Sequence, residues 1–318
     1  MDIYPEWFPP FAVRLCLEYS IRMTIVRAEV LGMCMGVRRA ETLARDAARR
    51  AKKTGRRVFT YGPLIHNPQA ILELQKEGVT ALEPEDFENG GHDGEIQGSI
   101  VVVRAHGAPP EALARLSRLG VEVVDATCPR VLKSQSKAKI LSEEGWKVVI
   151  AGDKAHGEVA GILGHAPSAV VAENAEQAKA EALRLSGNKV ALIAQTTMKE
   201  SEFNAIAAEF RAICPHFLAI STLCPSTLDR QKALVRLAQT VDAIVVVGGK
   251  NSANTRRLAM AAAETGKPCW HVETEEELPG EIFSFERVGL TAGASTPDFI
   301  VDKVENFLLK GASNGYSA

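Results

Sequence analysis

The chain has 318 residues, of which 46% are hydrophobic and 24% charged, and its formal net charge is -2. That length exceeds one small core and predicts two or three domains of an ordinary globular protein. The charge balance excludes a basic field for nucleic acid or a polybasic membrane tail, and no apolar run approaches the ~20 residues of a spanning helix.

Residues 1–22 differ in pattern from the rest of the chain. They carry acidic residues and prolines but no basic region ahead of an apolar stretch, so they do not read as a secretory signal. A cytoplasmic location is expected, where six cysteines are more readily ligands or buried thiols than disulfides. Regular patterning begins at Met23, which offers an alternative start.

From there, strands are predicted at 24–30, 57–60, 100–103, 121–124, 147–151, 169–172, 189–193, 217–220, 242–247, 268–272 and 287–290. Helices are predicted between them at 36–53, 68–77, 110–118, 130–144, 174–185, 199–211, 226–239, 254–265 and 297–309. Gly-dense 87–98 reads as a surface excursion, and the small polar residues after Lys310 as a disordered tail. Strict alternation of strand and helix is the pattern of α/β architecture with mainly parallel sheets. It divides into an extension (1–22), three similar units (23–118, 119–215, 216–311) and a tail (312–318).

Cys34, Cys128 and Cys224 lie 94 and then 96 residues apart, each after an apolar stretch and at the start of a predicted helix. Any one of them alone reads as a buried thiol. As a set, three thiolates from three similar units make a cradle with one coordination position left open. They suit a soft metal or an iron–sulfur cluster, and the lack of a C-x-x-C pair weighs against zinc. Cys16, Cys214 and Cys269 lack this context and read as structural.

In open α/β sheets, ligands bind beyond the carboxyl ends of the strands. The chain's polar loops fall there: His66 and Asn67; His106; His156 and Glu158; Thr196 and Thr197; Asn251, Ser252 and Asn254; Ser295 and Thr296. The three histidines, as cations or N–H donors, suit a diphosphate, although a lone loop histidine is commonly just solvated. Ser252, Asn254 and Ser295 place donors at helix starts, where capping is the competing role. Glu158 in a closed apolar pocket would hold a raised pKa and deliver protons; otherwise it complements a helix dipole. No Walker A sequence is present.

These motifs occur in one order: Cys34-x-Gly-Val, HNP, AHG, DATCP, AHGEVAG, QTT, Cys224 with Thr227, GGKNSANT and GASTPD. Together they make residues 23–311 resemble the 4-hydroxy-3-methylbut-2-enyl diphosphate reductase family. The resemblance implies three α/β domains in pseudo-threefold arrangement around a central [4Fe–4S] cluster. It implies cluster ligation by Cys34, Cys128 and Cys224, with the fourth iron open to substrate. It implies diphosphate binding by His66, His106, His156, Ser252, Asn254 and Ser295, substrate contact by Thr196 and Thr197, and proton delivery by Glu158 assisted by Thr196. The implied reaction is reductive dehydroxylation to isopentenyl and dimethylallyl diphosphates, fed by a ferredoxin or flavodoxin type donor. A non-redox hydro-lyase acting on a small phosphorylated substrate is the alternative. Met33 and Met35 around Cys34, Ala194 before QTT and Ala253 in the NSxN loop depart from the family pattern.

Overall fold

A computed structural model describes residues 23–313. The N-terminal extension with Cys16, and residues 314–318 of the tail, lie outside the described residues. Twelve strands run in chain order: β1 Thr24–Arg27, β2 Val58–Tyr61, β3 Val79–Leu82, β4 Ile100–Val103, β5 Glu122–Asp125, β6 Lys147–Ala151, β7 Val170–Ala172, β8 Lys189–Ala194, β9 His216–Ile220, β10 Ala243–Val247, β11 Cys269–Val272 and β12 Arg287–Ala292. The helices are α1 Met35–Thr54, α2 Pro68–Lys76, α3 Pro84–Glu88, α4 Asp93–Ile96, α5 Pro110–Arg118, α6 Pro129–Glu143, α7 Gly157–His165, α8 Ala175–Leu185, α9 Glu200–Ile213, α10 Pro225–Ala238, α11 Ala253–Ala263 and α12 Asp298–Ser313.

The strands form three parallel four-stranded sheets of one topology: β3-β2-β4-β5, β7-β6-β8-β9 and β11-β10-β12-β1. Their central strands, such as IVVV in β4 and AIVVV in β10, are buried on both faces, as parallel sheets covered by helices require. Helix α1 lies against the first sheet through a stripe of Ala40, Ala44, Ala47, Ala48 and Ala51. Alanine at those positions lets the backbone come close, so Ala44→Leu would overpack the contact at a cost of about 1–3 kcal/mol. The helix stops at Gly55, whose φ of 68° suits the left-handed cap.

The sheets cut the chain differently from the three consecutive units expected. The strand that leads to each cysteine closes the sheet before it: β5 pairs with β4, β9 with β8, and β1 with β12 from the other end of the chain. The boundaries at 118/119 and 215/216 therefore each detach an edge strand from its sheet. Strand pairing is non-local, and the pattern of one strand does not say which edge it joins. Other differences concern single elements. Strand β3 and helices α3, α4 and α7 are absent from the predicted set, and the stretch 87–98 is anchored by buried Phe87 and Ile96 rather than being a free excursion. Helix α12 also continues to Ser313, past the predicted tail boundary.

Candidate functional site

Each sheet order reverses between its two central strands, β2/β4, β6/β8 and β10/β12. Loops leaving those strands diverge and open a crevice at their carboxyl ends. The three crevices face one cavity. Its lining includes Cys34, His66, His106, Cys128, His156, Glu158, Thr196, Thr197, Cys224, Ser252, Asn254 and Ser295, so the residues to which the family resemblance gives a role are brought together there. Asn251 faces a neighbouring groove instead.

The threefold repeat extends to single atoms. The N–H of Cys34 bonds to Ala294 O (3.1 Å), that of Cys128 to Ala105 O (2.9 Å) and that of Cys224 to Thr196 O (2.8 Å). Each cysteine is thus tied to the loop that carries Ser295, His106 or Thr197 in its own sheet. A second set of equivalents caps helices: Asn67 for α2, His156 for α7 and Ser252 for α11, each accepting a backbone N–H of its helix's first turn.

All three cysteines are free, half-buried and in extended backbone immediately before α1, α6 and α10. A helix N-terminus favours an anion, and none of the three helices has an acidic residue in its first turn. Burial pushes the Cys128 thiol up, against the amides of Arg130 and Val131, while negative charge on Cys34 or Cys224 pushes it up further. That mutual coupling marks three sulfurs at one place. Gly36 belongs to the cradle: a Cβ there would lie 2.6 Å from Cys128 Sγ and 3.9 Å from Cys34 Sγ. Three converging soft donors at positive helix ends, with room kept by a glycine, fit an iron–sulfur group. Of the methionines beside Cys34, Met33 is core and Met35 points to solvent.

The histidine rings pack together tilted or edge-on, with centroids 4.9 Å (His66–His106), 5.1 Å (His106–His156) and 6.1 Å (His66–His156) apart. Burial, foremost, holds all three as neutral imidazoles. It carries His156 down to about 4 and His106 well below the usual value, with His66 also lowered. The cationic form considered from the sequence is thereby disfavoured in the free protein, and N–H donation is the role left. One ring nitrogen from each histidine lies within 4.8 Å of the others, a spacing that also suits a metal ion. Arg104 and Arg256, whose charges already depress His66, oppose a cation there. The unsatisfied groups favour an anion as well: Asn254 Nδ2 is a buried donor with no partner among the described residues. Ser252 Oγ accepts from Thr255 N and from Ser295 Oγ (3.2 Å), so its own O–H is left to donate.

Glu158 occupies the first turn of α7 yet is 1% exposed. Its position thus combines the two settings considered from the sequence, a helix's first turn and a buried pocket. Burial pushes its carboxyl up to about 7, opposed by Thr196 and by Arg257. Thr196 meets it twice, through N–H to Oε1 and hydroxyl to Oε2, both at 2.8 Å. The Thr197 hydroxyl is engaged by Arg257 (3.2 Å) and Gln195 (3.1 Å).

Some residues of the site were not read from the sequence. Arg104 fits against Gly62 and Gly157, where a side chain on either glycine would strike its guanidinium. Arg39 donates to Thr127 O (3.1 Å) and Asp125 O (3.2 Å) just ahead of Cys128. Arg230 is buried and reaches Gly32 O, just ahead of Cys34. Their signals, an arginine before AHG and arginines five and six residues after a cysteine, carry no meaning until the elements are packed.

Residues 25–309 match the family model described as LytB protein. A 4-hydroxy-3-methylbut-2-enyl diphosphate reductase of Treponema denticola is 47% identical over 294 residues, covering 91% of this chain and all of that one. The reductase of Aquifex aeolicus is 39% identical over 287 residues, covering 89% of this chain and 94% of the relative. A solved (E)-4-hydroxy-3-methyl-but-2-enyl diphosphate reductase, described as the terminal enzyme of the non-mevalonate pathway, superposes with a TM-score of 0.68 at 38% identity. The match covers 90% of this chain and 99% of that one. A reductase structure from Plasmodium falciparum gives a TM-score of 0.80 at 25% identity, covering 90% and 87% of the two chains. With its ordered motifs, its three equivalent sheets and these matches along nearly its full length, the chain belongs to the LytB family of 4-hydroxy-3-methylbut-2-enyl diphosphate reductases.

Proposed function

We propose that this chain performs the reaction its relatives are named for, with the residues of this cavity in defined roles. The substrate is 4-hydroxy-3-methylbut-2-enyl diphosphate. Two electrons and two protons enter, the allylic hydroxyl leaves as water, and isopentenyl and dimethylallyl diphosphates form. The observation that carries this reading is the position of Glu158: a carboxyl with a pKa raised to about 7 on the same cavity wall as three free thiols and three neutral histidines.

Cys34, Cys128 and Cys224 would hold a [4Fe–4S] cluster with one iron lacking a protein ligand. When bound, that cluster supplies electrons one at a time and a Lewis-acidic iron. The protein's own residues do the rest. His66, His106 and His156 donate N–H groups to the diphosphate, and Asn254 Nδ2 with the Ser252 hydroxyl, which Ser295 orients, completes the grip. A bound diphosphate supplies the negative charge that makes protonation of the histidines favourable, so the grip tightens around an anion. Glu158, protonated up to about pH 7, gives its proton to the departing oxygen, and Thr196 fixes the carboxyl's orientation. Apolar Val37, Leu64 and Ile65 line the same cavity and exclude water from the reacting carbon chain.

We place the enzyme in the cytoplasm, with an electron donor of ferredoxin or flavodoxin type. No helix among the described residues is long and apolar enough to cross a membrane. The hydro-lyase alternative finds no support, since the relatives compared are named reductases. Anaerobic turnover of the allylic diphosphate with a strong one-electron donor tests the reading. Two electrons should be consumed per substrate, and water loss without any donor would sink it.

A further inference from the structure

We propose that Arg230 sets the reduction potential of the group held by Cys34, Cys128 and Cys224, acting as a buried cation without a buried counterion. The inference rests on the cluster assignment above. Arg230 is 3% exposed in α10, the helix that starts after Cys224. Its Nη1 donates to Ser226 O (2.9 Å) and to Ser226 Oγ, and its Nη2 donates to Gly32 O. Every one of these acceptors is neutral, and Nε has no partner among the described residues. Ser226 lies two residues after Cys224 and Gly32 two residues before Cys34, so the guanidinium ties together the two segments that carry these thiols.

An unpaired guanidinium is expensive to bury, and a structure keeps one where an anion is to be stabilised. The groups whose negative charge favours this cation most are Cys34 and Cys224, ahead of exposed Asp229. Other cations nearby are poorer candidates. Arg38 is exposed and paired with Asp298 at 2.8 Å, and Arg39 is only partly buried, so water and a counterion screen them. Adding an electron makes the cluster more negative, and a fixed positive charge in a low-dielectric position favours that form. Arg39 shows what a clamp alone looks like: it too bridges from the helix after one cysteine to carbonyls before the next. Arg230 combines that bridge with full burial of its charge.

The test uses the full-length holoenzyme reconstituted anaerobically as wild type, Arg230→Gln and Arg230→Lys. Iron and sulfide are counted first, and the cluster is then titrated with EPR detection. Arg230→Gln should shift the one-electron equilibrium toward the oxidised form by tenfold or more, about 59 mV at n = 1. Arg230→Lys, which keeps the charge, should stay within threefold of wild type. Loss of iron in the Gln variant alone overturns the role, because the charge would then hold the group in place rather than set its potential. An iron-replete Gln variant with wild-type potential overturns it. So does a Lys variant shifted as far as Gln, or loss of iron from both, because charge would then not be the deciding property. A wild type that holds no cluster would instead remove the cofactor assignment itself.

Discussion

Thr196 grips both carboxyl oxygens of Glu158, one through its backbone N–H and one through its hydroxyl, each at 2.8 Å. The same residue's carbonyl accepts the N–H of Cys224, so one loop joins this carboxyl to a thiol. Thr196→Val keeps the backbone contacts and deletes the hydroxyl. One lost hydrogen bond to the acid costs about 1.4 kcal/mol, or roughly tenfold in kcat. The deleted contact also favours the carboxylate, so the limb of the pH–rate profile belonging to Glu158 should move above about 7. Thr196→Ser should restore both. Glu158→Gln should lower turnover by about a hundredfold or more.

Stability should respond to Glu158 in a definite direction. Its folded pKa, about 7, lies above the ordinary 4.5, so the folded state keeps a proton that the unfolded chain releases. Its contribution is complete below pH 4.5, declines as pH rises, and is gone above about pH 7. The interval corresponds to about 3 kcal/mol. The histidines act oppositely: depressed pKa values make their contribution full above the unfolded value of 6.5 and cost stability as pH falls toward about 4. Denaturant unfolding of cluster-free wild type and Glu158→Gln between pH 4.5 and 7.5 isolates the carboxyl. The Gln variant should gain about 3 kcal/mol relative to wild type across that range, and parallel curves would refute the burial argument.

Gly36 should be indispensable to cluster loading but not to folding. Its added Cβ would fall 2.6 Å from Cys128 Sγ, closer than carbon and sulfur can pack. In Gly36→Ala the thiol must turn away. Iron content should drop by more than half, while thermal unfolding of the cluster-free chain stays within a few degrees, since alanine suits a helix.

The three thiols should separate cleanly from the other cysteines of the described residues. Cys34→Ser, Cys128→Ser and Cys224→Ser should each abolish a stable cluster on iron and sulfide analysis. Cys214 is buried beneath α8, its Sγ toward Ala182 O (3.5 Å), and Cys269 sits in β11, so serine at either position should leave the iron stoichiometry unchanged.

Asn254 should report the anion site without involving electrons. Its Nδ2 is buried and has no partner among the described residues, a costly state that a diphosphate oxygen would relieve. Asn254→Ala should weaken pyrophosphate binding about tenfold by calorimetry, ~1.4 kcal/mol. Unchanged affinity would mean that the amide faces something other than the ligand.

Much of this molecule is legible before any coordinates. The alternation of apolar runs and amphipathic stretches marks 11 of the 12 strands, because parallel strands buried on both faces must be continuous runs of Val, Ile and Ala. β3, of sequence VTAL, escapes because one short edge strand after a helix lacks that strength. The strand-end positions of His66, His106, His156, Thr196, Ser252 and Ser295 are visible too, since a parallel sheet puts functional loops at its carboxyl end.

What the sequence by itself determined is therefore the class of fold, the residue types of the site and the three cysteines at nearly equal intervals. Tertiary structure alone decided how they meet. Pairing of β1 with β12, 263 residues apart at Thr24 and Arg287, closes the third sheet with the first strand, and no local pattern encodes so distant a partner. Packing decided the chemistry as well: Glu158 is an acid with a pKa near 7, and the histidines are neutral, only because burial removes the water that would otherwise stabilise their charged forms. Arg230 becomes the cation of the thiol cradle for the same reason. Its partner carbonyl, Gly32, is 198 residues away, and only the closed third sheet brings the two together.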